Sequence, residues 1–243
     1  MKYSVQLYTL RSEIKDAEGL KRILPEVRKA GYEGVEFAGT YGYDPVTLKQ
    51  LCDDSGLIVT GNLVGVDAFL PDKIDSTIAY NKALGLNLIG TGGGPHGTDA
   101  DAEKTALIFK WANKYGENKG VKFYYHNHQT EFFPLESGRL PIDVLKTGAY
   151  LEIDTYWSFV AKVDTRKVML ENRDRIVALH IKDGVDGTPC ALGEGQNDLI
   201  TIIKTAKEIG VEWLTLENDN PTPNGLDDIK RSYAWLAANE EKF

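Results

Sequence analysis

The sequence is poor in the residues that mark several large classes of protein. It has two cysteines, Cys52 and Cys190, far apart and in neither a CxxC nor a Cys/His finger spacing. A disulfide framework is not indicated, and two reduced thiols in a cytosol are the simplest reading. No stretch approaches the roughly 18 to 20 apolar residues of a membrane span. The opening residues MKYSVQLYTLR lack the long apolar core of a secretion signal. A soluble cytoplasmic protein is the resulting expectation. Excess positive charge is missing as well, since the net charge is −8. Nucleic-acid binding leans on clustered Lys and Arg, so no nucleic-acid partner is expected. Nothing resembles a disordered tract, and a hydrophobic content of 42% over 243 residues supplies a full core.

What is present is alternation. Short β-branched or aromatic runs occur at 3–8, 34–37, 57–62, 86–91, 121–126, 150–154, 176–182 and 213–217, with helical segments between them. The segments ending KAG, ALG, NKG and EIG each lead within one or two residues into a strand, the signature of an αβ loop. The first helical segment, 17–31, contains Pro25, which predicts a kink or a later start. Eight such units predict a parallel sheet with covering helices, and in about 240 residues a single (β/α)8 TIM barrel over 1–243. An open doubly wound sheet is the rival, but no GxGxxG follows an early strand. GTGGGP (90–95) lacks the Lys and Ser/Thr of a phosphate loop; its glycines are read as letting a loop pass close to a pocket.

Side-chain parity predicts which residues point into the barrel. In strand five Tyr124, His126 and His128 share a face, opposite Phe123 and Tyr125. Glu152 and Asp154 oppose Leu151 and Ile153 in strand six; Ala178, His180 and Lys182 oppose Val177, Leu179 and Ile181 in strand seven. Thr215 and Glu217 oppose Leu214 and Leu216, and Glu36 opposes Val35 and Phe37. In each strand one face is apolar and the other carries ionisable groups toward the C-terminal end, where active sites of this architecture gather. His126, Asp154, His180 and Glu217 are spaced 28, 26 and 37 residues apart, about one βα unit each. Two imidazoles and two carboxylates converging in one pocket suit a single divalent ion, Mn, Zn, Co or Mg.

In order along the chain, YHNHQTEF, LEIDTYW, ALHIKD and WLTLEND resemble the xylose isomerase-like barrel family of sugar phosphate isomerases/epimerases. Relatives of that kind include inosose dehydratase, hydroxypyruvate isomerase and tagatose 3-epimerase. The resemblance implies a metal held by Glu, Asp, His and Glu from strands five to eight, the last three falling on Asp154, His180 and Glu217. The first would be a Glu where this chain has His126. His126, or else His128 or Glu131 from the following loop, would take that place.

The resulting expectation is a metal-dependent isomerase or epimerase acting on a sugar or keto-sugar through an enolate or enediol. Glu217 would be the base, with His126 or Lys182 as partner acid. A dehydratase or lyase on a 3-keto-sugar or inosose would use the same site, and a sugar-binding barrel without catalysis is the non-enzyme alternative. Structural imidazoles at strand ends are the plain reading of His126 and His128, and a turn cap is that of Asp154. His128, Glu131, Glu36 and the aromatic groups Trp157, Tyr156 and Phe133 are candidate substrate-facing residues, the aromatics serving equally well as core. Glu152 is read as a buried partner, with Lys122 a candidate for the other half, and His96 as an exposed loop histidine. No basic Gly-rich loop follows strands seven or eight, so a non-phosphorylated small-molecule sugar is expected as partner, with no membrane and with a homo-oligomer left open.

Overall fold

In the computed structural model, which describes residues 1–243, the apolar runs become strands β1 (Lys2–Gln6), β2 (Gly34–Phe37), β3 (Ile58–Asn62), β4 (Leu88–Thr91), β5 (Lys122–His126), β6 (Tyr150–Asp154) and β7 (Ile176–Ile181). A separate antiparallel hairpin follows, β8 (Asp183–Val185) and β9 (Thr188–Cys190), and then the eighth long-sheet strand, β10 (Trp213–Leu216). The parallel order is β3-β2-β1-β10-β7-β6-β5-β4. The two ends of this sheet meet at a bridge between Leu63 and Gly90, where the Val64 N–H donates to the Gly90 carbonyl at 2.9 Å. The result is a nearly closed (β/α)8 barrel.

Nine helices surround it: α1 (Ala17–Lys29), α2 (Pro45–Asp54), α3 (Ile74–Ala83), α4 (Asp99–Gly116), α5 (Pro141–Leu145), α6 (Thr155–Val160), α7 (Thr165–Glu171), α8 (Leu199–Glu208) and α9 (Gly225–Ala238). Pro25 does not delay α1, which begins at Ala17 under an Asp16 cap and runs on to Lys29. Pro25 and Lys21 are both exposed, so the carbonyl that loses its partner faces water. The expected first strand, 3–8, runs two residues past the end of β1 and starts one residue late. The Gln6 side chain accepts from the Tyr8 N–H at 3.1 Å and turns Leu7–Leu10 into a 3-10 helix. No helix is long and apolar enough to cross a membrane.

Alternation sorts the strand residues by face. Val35, Phe37, Leu151, Ile153, Leu179, Ile181, Leu214 and Leu216 are buried against helix residues such as Leu20, Leu24, Met169 and Ile203. Each such side chain contributes about 1.5–3 kcal/mol. Inside the barrel, register sets Gln6 beside Glu36, His126 beside Glu152, and His180 beside both Asp154 and Thr215. Two glycines make this polar interior possible. A Cβ on Gly61 would lie 2.3 Å from Glu36 Oε1, and one on Gly90 would lie 2.2 Å from the Tyr124 ring. Only glycine leaves room for both side chains.

Candidate metal centre and cleft

Four strand ends converge. His126, Asp154, His180 and Glu217 are buried, and each brings one ligand-type atom within 4.8 Å of the others. Their orientation is fixed locally. Asp154 Oδ1 caps α6, accepting from the N–H groups of Tyr156 at 2.9 Å and Trp157 at 2.8 Å. That cap aims Oδ2 at the barrel axis. His126 Nε2 lies 3.5 Å from Asp154 Oδ2 and 3.9 Å from Glu217 Oε2. His180 Nδ1 is 3.1 Å from Glu217 Oε2, and its Nε2 is 2.6 Å from Glu36 Oε2. Beneath them Glu36 also accepts from Gln6 at 2.8 Å and from the Tyr124 hydroxyl at 2.8 Å.

Lys182 is the cation of the group. Its Nζ is 2.8 Å from Glu217 Oε2, 2.6 Å from Asp219 Oδ2 and 3.0 Å from Asp154 Oδ2, the last without hydrogen-bond geometry. Burial alone would raise the carboxyl groups of Asp154 and Glu217. The Lys182 ammonium, with the His126 and His180 imidazoles, outweighs it and holds both well below the usual range. Burial works against protonated His180 too, but Glu152, Glu36 and Glu217 overcome it and raise the imidazole well above its ordinary value. Glu152 goes the other way: burial, reinforced by the Glu36 charge, pushes it up to about 7.

These residues fit a divalent cation on two counts. Both ring nitrogens of His126, Asp154 Oδ2 and both oxygens of Glu152 are buried without a hydrogen-bond partner, and such atoms are costly to leave unsatisfied. The buried carboxylates Glu36, Asp154 and Glu217, joined by the half-buried Asp219, also outnumber the cations Lys182 and protonated His180, a surplus of negative charge. His180 spends both nitrogens on carboxylates, so it would ligate only on giving up a proton.

The remaining candidates separate. His128 lines a cleft of about 680 Å³ that opens above the four strand ends, together with His126, Glu217, Asp219, Gln6, Tyr8, Thr40 and Asn62. Burial and the neighbouring His126 lower the His128 pKa, so its imidazole is neutral at pH 7. Trp157 stands beside it at 6.2 Å between ring centroids and 5.1 Å from Lys182 Nζ. Glu36 lies under the metal-type residues rather than in the cleft wall. Glu131 is fully buried off the cleft, and its oxygens accept from the Tyr125 hydroxyl, the His128 N–H and the Thr130 hydroxyl. Its burial away from the strand five axis follows from the 3-10 turn Thr130–Phe132, which folds the side chain back. Tyr156 is buried against Phe159 and Phe133 is exposed outside the cleft lining. His96 is no free loop residue: it bonds Gly94 O at 2.7 Å and Thr130 Oγ1 at 3.0 Å, tying the loops after β4 and β5. Lys122 is exposed at the opposite end of β5 from His126, and the buried neighbours of Glu152 are His180 and Glu36.

Gln6, Tyr8, Asn62 and Asp219 belong to the cleft but carry no motif. Gln6 follows from the parity of Ser4 and Gln6 against Val5, as in the other strands; Tyr8 sits in the 3-10 helix Leu7–Leu10 and Asp219 on a loop, where parity does not reach.

Comparison with solved structures finds the same fold. A sugar phosphate isomerase/epimerase from Parabacteroides distasonis is 22% identical, with 98% of each chain covered and a TM-score of 0.83. The probable 3-DHS dehydratase AsbF from Bacillus anthracis is 16% identical over 98% of this chain and 99% of that one, with a TM-score of 0.77. An L-ribulose 3-epimerase is 18% identical over 99% and 95%, with a TM-score of 0.75. A search of curated proteins gives no match. Residues 24–239 match the family model for the xylose isomerase-like TIM barrel, and the chain belongs to that family.

Proposed function

We propose that the protein is a divalent-metal-dependent isomerase or epimerase acting on an unphosphorylated sugar or keto-sugar. The buried group of His126, Asp154, His180 and Glu217, with its unpartnered ligand atoms, carries this reading. Those four residues would hold the ion, which when bound would supply Lewis-acid polarisation of adjacent carbonyl and hydroxyl oxygens of the sugar.

The protein's own groups do the rest. His128 is neutral and cleft-facing, and it is the group suited to take a proton from the carbon beside the carbonyl. Glu217, held well below the usual carboxylate range, is a stronger ligand than base. Lys182 is fully buried and outside the cleft lining, so its role is to keep Asp154 and Glu217 ionised and to hold Asp219 in place. Tyr8 offers an aromatic face at the rim, 43% exposed. No Lys or Arg lines the cleft, while Glu217 and Asp219 do, which disfavours a phosphate group on the substrate.

A dehydratase or lyase is the second reading, favoured by one residue. Where the family resemblance implies a Glu on strand five this chain has His126, and an imidazole protonates a leaving oxygen well. The test begins with elemental analysis of protein loaded with Mn²⁺ or Zn²⁺ and dialysed. One bound ion per chain, lost in Glu217→Ala, supports the site; no retained ion refutes it. Loaded protein is then incubated with unphosphorylated ketopentoses and ketohexoses in D₂O. Deuterium entering at the carbon beside the carbonyl supports isomerase or epimerase chemistry. Loss of water from a 3-keto-sugar without exchange into recovered substrate supports the second reading, and neither outcome with any sugar would leave a binding barrel.

A further inference from the structure

A second groove lies at the other end of the barrel from the cleft. It has a volume of about 970 Å³ and is lined by the starts of β4, β5 and β6, by α4 and by the residue before β7. Small-molecule sites fall in this size range. Its composition departs from that of the chain. Lys110, Lys122 and Arg175 line it with no carboxylate within ion-pair distance, and Lys114 lines it paired to Glu117. Every other charged residue of the lining is therefore cationic, in a chain of net charge −8. The surface between the cations is aromatic and apolar. Lys122 Nζ stands 4.6 Å from the Tyr150 ring centroid and the Arg175 guanidinium 5.7 Å from the same ring. On the facing wall Trp111, stacked on Tyr115, is 38% exposed, and Leu107 is 64% exposed.

Unpaired cations around a flat apolar surface have a specific chemical complement. Charge-assisted hydrogen bonds reward an anion, and indole and phenol faces reward a planar ring. We propose that this groove is a second ligand site, for an aromatic phosphate: a flat ring system carrying a dianionic phosphate. The phosphate would sit among Lys110, Lys122 and Arg175, and the ring against Trp111 and Leu107. Lys122 and His126 are the two ends of β5, roughly 13 Å apart along the strand, so this site is distinct from the cleft. It does not depend on the activity proposed above.

The test uses the whole protein and adenosine monophosphate as probe, with adenosine and inorganic phosphate as the separated halves, in isothermal titration calorimetry. The expected result is saturable one-to-one binding of the monophosphate, tighter than either half and weakened by salt. Lys110→Glu/Arg175→Glu should weaken it by about tenfold or more, as should Trp111→Ala. All are exposed positions, and circular dichroism melts of the variants check the fold. Glu217→Ala should leave the affinity unchanged. No saturable binding at millimolar probe would overturn the proposal, as would affinity retained in the charge-reversed variant. A changed affinity in Glu217→Ala, in either direction, would assign the probe to the cleft instead. Equal affinity for inorganic phosphate and the monophosphate would refute the aromatic half of the ligand.

Discussion

Replacing Glu152 by glutamine keeps the shape of the side chain and removes its charge, at a point deep in the barrel where that charge is costly. The group is fully buried, neither oxygen has a hydrogen-bond partner, and Glu36 lies beside it. Burial first, then the Glu36 charge, pushes its carboxyl from an ordinary 4.5 to about 7. The folded state therefore holds the proton more tightly than the unfolded chain. Because the folded pKa is raised for an acid, the native state pays nothing below pH 4.5. It loses stability as pH climbs from 4.5 to 7, and the loss is complete above 7. At about 1.4 kcal/mol for each tenfold in proton affinity, the full loss is about 3 kcal/mol. Glu152→Gln has no such loss. In metal-free protein kept in chelator, the variant should gain on the wild type by about 3 kcal/mol between pH 4.5 and pH 8. That is about 6–12 °C in melting temperature for a chain of this size. An amide without partners adds a pH-independent offset, so the slope is the readout, taken from urea unfolding at several pH values. Parallel stability profiles for the two proteins across that range would refute the reasoning, since they would mean that Glu152 ionises as freely folded as unfolded.

Lys182→Met removes the cation shared by Asp154, Glu217 and Asp219, and should cost about 3–5 kcal/mol in chelator. Added Mn²⁺ should then raise the melting temperature more in this variant than in the wild type; an equal or smaller rise would show that the carboxylates do not gather around one ion. Glu131→Gln turns an amide toward three donors and should cost about 1–3 kcal/mol by thermal melting, with weaker binding of the sugar substrate proposed above because His128 loses its backbone anchor. Unchanged stability would mean that the Tyr125 and Thr130 hydroxyls rotate to other acceptors. Gly90→Ala sets a methyl against the Tyr124 ring and should cost about 1–3 kcal/mol, with Glu36 displaced; a neutral substitution would show that β4 yields at the barrel seam.

Period-two alternation is a strong code wherever a strand has one apolar and one ionisable face, and it makes β5, β6 and β7 readable from residues alone. Phe123 against Tyr124 and His126, or Leu151 against Glu152 and Asp154, has one low-energy orientation, because a register slip would put carboxylates among the helices. The barrel and the four converging strand ends follow from that single constraint. Glu131 and Tyr156 lie beyond its reach. Each follows a strand by a few residues, where a 3-10 turn or the start of α6 replaces alternation, and hydrogen bonds such as Tyr125 to Glu131 decide the direction. Lys182 lies between the two regimes. Parity puts it on the inner face with His180, yet what it does there depends on Asp219, a loop residue with no place in the strand code. The ion pair joins the end of β7 to the loop after β10, and with it the strand-encoded half of the site to the half that only tertiary structure brings in. Asp219→Asn is then the substitution that separates them. It leaves the four ligand-type residues intact while freeing one donor of the Lys182 ammonium. Divalent-metal affinity should fall, because the ammonium then binds Asp154 and Glu217 more firmly and competes for them. Isothermal titration with Mn²⁺ measures this; an affinity that rises would mean that Asp219 restrains the candidate metal centre, and one that holds would mean that the Lys182–Asp219 pair is not coupled to it.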